Sequence, residues 1–263
     1  MKIDLINAQK VFLEYVNDFD KEDLMVNIKI DHTLRVAKNS EYISQNMGLS
    51  KEEIELATLI GYLHDIGRFE QIRLFGIDHD KKTGIDHAQK GVEELEKNNL
   101  LEKFIPNARE YDNLIKLAVF NHNKYRIQEN LTERETLFCN LIRDADKLDI
   151  YYVLIDGDIY AIGKKSGFDP DSDKISPELL KDLFASCQSN NTYLDGTFLD
   201  WYINVIAFVY DINYSNSLEL VLENKYIEIL VEKVIKLKPD KAEIFNRIQE
   251  HLIGYIKDKI SEN

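Results

Sequence analysis

The sequence is poor in cysteine, proline and glycine. Its 263 residues include 2 cysteines, 4 prolines and 11 glycines. Cys139 and Cys187 are too few for a disulfide framework and are predicted to be reduced packing residues. The scarcity of proline and glycine leaves few points where regular structure must break, and apolar residues recur at helical rather than alternating spacing. The sequence therefore predicts an all-α protein.

Positive charge and long hydrophobic runs are also scarce. Lysine and arginine total 33 against 47 aspartates and glutamates, a formal net charge of −14. This balance argues against binding to polymeric nucleic acid or to an anionic membrane. The densest apolar stretch, residues 201–210, is too short to cross a bilayer, and no secretory signal pattern is visible. We therefore expect a cytoplasmic protein, and this charge balance still allows a small anion to bind locally.

Apolar periodicity and capping signals place the helices. A loop is predicted over residues 68–85, and its length is typical of functional loops. Residues 154–162 contain an Asp-Gly turn signal, so a short β-hairpin is the alternative to helix there. Helices are predicted over residues 4–17, 23–46 and 50–65, from 86, over 110–122, from 132 to 149 or beyond, and in several segments after 176.

A segment rich in lysine, aspartate, serine and glycine, residues 163–176, is predicted to separate two parts of the chain. Residues 1–162 would form a functional helical core and residues 163–263 a C-terminal helical extension packed on it. The extension shows no ligand spacing. Its role stays open between covering the core, shaping a substrate pocket and forming a homodimer surface.

The placement of the six histidines is the most informative feature. His32, His64, His87 and His122 lie on different predicted helices, and Asp146 follows on a later one. Intervals this long exclude a local His-x-x-x-His motif, so a shared site requires helices to converge. His32, His64 and His122 fall in the apolar stripes of their helices and point inward. Periodicity alone leaves a metal site and hydrogen-bonded core histidines equally open.

Two short motifs suggest a family. Residues 63–69 read Leu-His-Asp-Ile-Gly-Arg-Phe, and residues 143–149 read Arg-Asp-Ala-Asp-Lys-Leu-Asp. With the upstream His32, this order of His, His-Asp and Asp on helices resembles the HD-domain superfamily of metal-dependent phosphohydrolases. The resemblance covers about residues 28–149 and implies an HD-domain helical bundle. It also implies cleavage of a phosphoester or phosphoanhydride bond by attack of a metal-bound hydroxide.

The resemblance further implies a metal centre of one or two divalent transition-metal ions. Four imidazoles and two carboxylates suit iron or manganese, with magnesium, nickel, cobalt and zinc as alternatives. Asp65 would bridge the two ions. The implied ligands are His32, His64, Asp65, His87, His122 and Asp146.

Several assignments near this centre have alternatives. Asp65 and Arg68 are the predicted catalytic residues, and Arg68 takes the place where relatives put a basic residue against the phosphate. Its alternative is a helix-end arginine that faces the C-terminal dipole. Arg35 and Lys147 are predicted to bind substrate together with Arg68, with surface roles as their alternative.

The acidic residues around the motifs have alternative assignments. Spacing does not choose between Asp144 and Asp146, and the family pattern favours Asp146. Asp149 is predicted either to hold a ligating histidine or to be a surface charge. The run Asp-His-Asp at residues 78–80 is predicted to be a solvated loop or lid element rather than a further metal cluster.

The leading functional hypothesis is a phosphohydrolase that acts on a small phosphorylated molecule, most plausibly a nucleotide. A narrower alternative is a dinucleoside polyphosphate hydrolase. Another is a regulatory or ligand-binding module without turnover, and the least favoured is a metal-free helical scaffold. The enzyme is favoured because every ligand position is filled. The HD-GYP branch is not favoured, because its Gly-Tyr-Pro signature is missing.

Overall fold

The computed structural model describes residues 3–106, 109–186 and 196–262. Within these ranges all regular secondary structure is helical and no strand occurs, which confirms the all-α prediction. No helix there combines the length and the apolar character needed to cross a bilayer. Cys139 is a buried free cysteine, as predicted, and Cys187 lies outside the described residues.

The chain divides into two compact units, residues 1–149 and 150–263. The predicted division at residues 162 and 163 stays a prediction. The helix that contains the division is α9. The first unit contributes α1 (Leu5–Tyr15), α2 (Leu24–Asn46), α3 (Lys51–Leu63), α4 (Ile66–Phe75), α5 (Asp80–Thr83), α6 (His87–Glu96), α7 (Leu100–Phe104), α8 (Arg109–Asn121) and the start of α9 (Glu133–Asp156).

Two glycines let helices of the first unit approach closely. A Cβ on Gly61 of α3 would lie 2.6 Å from Cα of Ala37 in α2. A Cβ on Gly67 of α4 would lie 2.5 Å from the backbone nitrogen of Gly91 in α6. Both pairs of helices therefore pack at a distance that a larger residue would prevent. This packing brings His64 and Asp65, between α3 and α4, close to α2 and α6.

Three helix starts follow the predicted capping chemistry. Ser50 and Glu53 form the reciprocal box at the start of α3. The carboxylate of Asp86 accepts the backbone N–H groups of the second and third residues of α6. At the start of α9, the backbone N–H of Thr132 donates to Glu135, and the backbone N–H of Glu135 donates to the Thr132 hydroxyl.

The predicted loop over residues 68–85 is wrong. Helix α4 occupies its residues 68–75, and the short helix α5 lies further along. The signal for α4 was the spacing of Ile66, Phe69 and Ile72, which are all buried on one side. Gly76 ends α4 in the left-handed conformation, with φ of 69°. Because Arg68 lies in the first turn of α4, its alternative role as a helix C-terminal arginine is also wrong.

The second unit is helical as well, and the hairpin alternative for residues 154–162 is wrong. Asp158 caps α10 by accepting the backbone N–H groups of Tyr160 and Ala161, so its side chain starts a helix rather than a turn between strands. Pro177 opens α11, as predicted. The helices are α10 (Ile159–Lys165), α11 (Pro177–Ser186), α12 (Phe198–Ile206), α13 (Ser215–Glu223), α14 (Tyr226–Leu237) and α15 (Ala242–Ser261).

Candidate metal centre

Four histidines from different parts of the first unit converge on one point. His32 lies in α2, His64 directly follows α3, His87 starts α6 and His122 directly follows α8. None is more than 4% exposed. The Nε2 atoms of His32 and His64 are 3.2 Å apart, and those of His87 and His122 are 3.0 Å apart. The helices thus aim four imidazole nitrogens into one buried space.

Two of these rings are held by the backbone. Nδ1 of His64 lies 2.8 Å from the carbonyl oxygen of Gly61, and Nδ1 of His122 lies 2.6 Å from that of Val119. Each acceptor is three residues earlier, at the end of the helix that carries the histidine. An Nδ1–H that donates to a carbonyl leaves the Nε2 lone pair free to bind an ion.

The other two rings are held by carboxylates. Nδ1 of His32 lies 2.7 Å from Oδ2 of Asp149, and Nδ1 of His87 lies 2.6 Å from Oδ2 of Asp80. Asp149 is 1% exposed and is therefore not the surface charge of its alternative prediction. Asp80 is not the solvated loop residue that the sequence predicted, because its side chain contacts the buried His87.

Asp65 lies between the two pairs of histidines. Its Oδ1 is 3.4 Å from Nε2 of His87 and 3.4 Å from Nε2 of His122. Its Oδ2 is 3.6 Å from Nε2 of His32 and 3.8 Å from Nε2 of His64. Each oxygen of one carboxylate therefore faces a different pair, which is the arrangement that a carboxylate between two ions requires.

Asp146 adds a second carboxylate on the side of His32 and His64. Its Oδ1 lies 3.1 Å from Nε2 of His32 and 3.7 Å from Nε2 of His64. Its side chain is 15% exposed, more than those of the histidines it faces. Asp146, the residue that the family pattern favours, contacts His32 and His64. Asp144 is fully buried.

The donor set fits divalent metal ions. Three groups among the described residues have ligand atoms within 4.8 Å of one another: His32 with His64 and Asp65, Asp65 with His87 and His122, and Asp80 with Asp86 and His87. The first two share the buried Asp65, whereas Asp86 of the third is exposed. With bonds of about 2.1 Å, neighbouring ligands lie about 3.0 Å apart in an octahedron and about 3.4 Å apart in a tetrahedron. The separations of 3.0 to 3.8 Å are close to these values. The mixed nitrogen and oxygen donors suit first-row transition metals.

The two carboxylates are ionised. Burial alone would raise the pKa of Asp65, but the Lys29 ammonium and the surrounding histidines outweigh burial and hold that pKa well below its ordinary value. Burial likewise opposes ionisation of Asp146, but the neighbouring His32 and His64 outweigh burial and hold its pKa well below the ordinary value. Both side chains can therefore act as anionic ligands.

The histidines differ in their protonation. Burial lowers the pKa of His64, and burial together with the Arg68 charge lowers the pKa of His87 to about 4. Burial also disfavours charge on His32, but hydrogen bonds to Asp146 and Asp149 outweigh it and raise its pKa to about 9. The lowered pKa values favour neutral imidazoles at His64 and His87, the form in which histidine binds a metal ion. The negative groups that favour a proton on His32 equally favour a cation there.

Two residues of the centre escaped the sequence analysis. The Lys29 Nζ lies 2.8 Å from Oδ2 of Asp65, and its side chain is 14% exposed. Its signal was its position three residues before His32, on the same face of α2. Asp80 was visible only as part of the Asp-His-Asp run at residues 78–80, because no regular spacing links it to His87 seven residues later.

The three predicted substrate-binding residues lie in different settings. The Nη1 of Arg68 donates to Oδ1 of Asp80 at 2.5 Å, and its Nε lies 3.8 Å from Oδ1 of Asp65. Arg35 makes two hydrogen bonds to Asp149, at 2.6 and 3.0 Å. Lys147 is buried, with Nζ 3.5 Å from the Arg143 carbonyl oxygen. Arg68 thus lies beside the metal centre. Arg35 contacts Asp149, which in turn contacts His32.

Comparison with known proteins gives one match. Residues 30–151 match the sequence model of the HD domain, a span that contains all six candidate ligands. The match ends before most of the second unit. Neither the curated proteins nor the solved structures that were compared include a significant match to this chain.

Proposed function

We propose, from the match of residues 30–151 to the HD domain, that this chain is a metal-dependent phosphohydrolase of that family and hydrolyses a phosphoester or phosphoanhydride bond of a small molecule, a nucleotide in particular. The observation that carries the proposal is the position of Asp65. Its two oxygens face two separate pairs of histidine nitrogens at 3.4 to 3.8 Å.

The residues divide into two sets of ligands that share Asp65. His32, His64 and Asp146 would hold one ion with it, and His87 and His122 the other. Divalent ions bound in this way acidify water and withdraw charge from a phosphoryl oxygen. The chain supplies rigid positions, because each histidine is fixed through Nδ1.

Basic residues beside Asp65 provide the charge that an anionic substrate needs. Lys29 contacts one oxygen of Asp65 and Arg68 lies near the other. A buried guanidinium is suited to a phosphoryl group whose charge grows during the reaction, so Arg68 is the proposed catalytic arginine. These local charges explain how a protein of net charge −14 would bind a phosphate. Arg35 and Lys147 remain further candidates for substrate contact.

Turnover of a substrate panel tests the proposal. The protein is loaded with Mn²⁺ or Fe²⁺ and assayed against nucleoside mono-, di- and triphosphates, dinucleoside polyphosphates, cyclic nucleotides and sugar phosphates. We expect catalytic turnover of one nucleotide class. An Asp146→Ala variant purified in parallel serves as control, because contaminating phosphatases would remain in it. Binding without turnover in every class would overturn the proposal and favour a ligand-binding module.

A further inference from the structure

Asp80 makes several hydrogen bonds beside the candidate metal centre. Its Oδ1 accepts from Nη1 of Arg68 at 2.5 Å and from Nε2 of Gln71 at 3.0 Å. Its Oδ2 lies 2.6 Å from Nδ1 of His87 and accepts from Nδ2 of Asn123 at 3.3 Å. One half-buried carboxylate therefore joins α4, the first residue of α6 and the segment after α8.

The segment that carries Asp80 is held mainly through side chains. It lies between Gly76 and Gly84, which both adopt the left-handed conformation, with φ of 69° and 71°. Between them, the single helical turn of α5 is too short to be stable alone. Gln71 also donates to the Thr83 hydroxyl at 2.8 Å. Since the backbone is short and irregular here, the contacts of Asp80 fix where its carboxylate points.

The contact with His87 selects the form of that ring which can bind an ion. A carboxylate at Nδ1 holds the proton on Nδ1 and leaves the Nε2 lone pair unprotonated. That Nε2 faces Oδ1 of Asp65 at 3.4 Å and Nε2 of His122 at 3.0 Å. Without Asp80, the Asn123 amide, whose Nδ2 lies 3.3 Å from the same Nδ1, would favour the other tautomer, because its N–H group needs an acceptor.

The same carboxylate also restrains Arg68. The short ion pair keeps the guanidinium on the side of Asp65 that faces His87 and His122. A charged pair of this kind is stronger than a neutral hydrogen bond, and it acts together with the hydrogen bonds that the same Nη1 donates to Oε1 of Gln71 and to the carbonyl oxygen of Asp78. Asp80 thus touches both a proposed ligand and the proposed catalytic arginine.

We propose that Asp80 is a positioning residue that fixes His87 as a ligand of one ion and Arg68 as the contact for the substrate phosphate. This inference rests on the proposed function, since it assigns a role within that site. The two halves of the centre are then held in the same way: the carboxylate of Asp149 contacts Nδ1 of His32, and the carboxylate of Asp80 contacts Nδ1 of His87. Loss of Asp80 is therefore expected to affect one ion and spare the other.

The first test is a titration of the metal-free full-length protein with Mn²⁺, followed by calorimetry. In Asp80→Asn, the ion held by His87 and His122 should bind about 10- to 100-fold more weakly. The affinity for the ion held by His32, His64 and Asp146 should stay within about twofold of wild type. Asp78→Asn is the matched control, since it removes the same charge from the same segment and should bind both ions as wild type does. Equal affinity of Asp80→Asn and wild type for both ions would overturn the inference.

A double-mutant cycle shows whether Asp80 acts through His87. In His87→Ala, adding Asp80→Asn should weaken Mn²⁺ binding no further, because the ring to be positioned is absent. In His64→Ala, adding Asp80→Asn should still weaken binding of the ion held by His87 and His122 by the same factor as in the wild-type background. Additive losses in the His87→Ala background would show a general structural effect and would contradict positioning. Thermal unfolding of each variant with helical circular dichroism identifies any loss of fold.

These outcomes separate the inference from the proposed function. A wild-type protein that binds no Mn²⁺ would remove both. A wild-type protein that binds two ions and turns over a nucleotide, together with an Asp80→Asn variant that binds both ions unchanged, would remove the role of Asp80 alone.

Discussion

Replacing Asp65 with alanine is expected to abolish hydrolysis and to reduce metal binding at both halves of the centre. Each of its oxygens faces a different pair of histidines, so no other single side chain serves both groups in the described residues. Loss of ions that supply about 4 kcal/mol or more of transition-state stabilisation corresponds to a decrease in kcat/KM of about a thousandfold or more. Steady-state kinetics on the substrate identified by the panel measures it.

The matched control for this variant is Asp31→Ala. Asp31 is an exposed carboxylate next to His32 in α2. Its removal changes the net charge by the same amount and should leave turnover and metal content unchanged. Both variants should keep the helical circular dichroism of wild type. If Asp65→Ala retained more than about a tenth of wild-type activity, the role of Asp65 would be refuted.

Removal of the ions with a chelator is expected to inactivate the protein and to lower its thermal stability. Ions that bind the folded but not the unfolded chain stabilise it by about 2.7 kcal/mol at a free concentration of 100 times Kd. For a chain of this size, that free energy corresponds to about 5 to 10 °C in Tm. Differential scanning calorimetry with and without saturating Mn²⁺ measures the shift, and the same samples give the activity.

Two controls sharpen the chelation experiment. Mn²⁺ added back should restore both activity and Tm, which excludes damage by the chelator. The Asp65→Ala variant should show a much smaller change in Tm, because it lacks the ligand that both groups share. An equal shift in that variant would mean that the ions bind elsewhere in the chain.

The sequence allowed candidate ligands to be named, but not the contacts around them. The candidates could be named because HD-domain motifs keep their order, and because inward-facing histidines on amphipathic helices are visible in the periodicity. Residues 30–151 match that domain. Which atoms face one another, and that Asp65 lies between two pairs of histidines, depends on how four helices pack, which no local pattern encodes.

The misjudged segment lies between Arg68 and Ile85. Its charged and polar residues suggested a loop, yet Ile66, Phe69 and Ile72 bury one face of α4 and override that composition. Gly67 follows the predicted helix over residues 50–65, and its missing side chain allows α4 to pack against α6. Tertiary packing decided this segment.

Asp80 and Lys29 escaped prediction for a related reason. Lys29 contacts Asp65 across the fold, and Asp80 contacts His87 across an irregular segment. Side chains that hold ligands have no fixed spacing from them, unlike the ligands within a motif. Asp149 could be proposed only because it lies one turn after Asp146 in α9.

The metal content of the protein as purified tests most directly whether these side chains form a metal centre. Full-length protein prepared without chelator, or reconstituted with Fe²⁺ or Mn²⁺ and desalted, should contain about two first-row metal ions per chain by elemental analysis. Asp65→Ala prepared in the same way should contain far less. A wild-type protein that stays metal-free after reconstitution would contradict the central claim that these side chains form a metal centre.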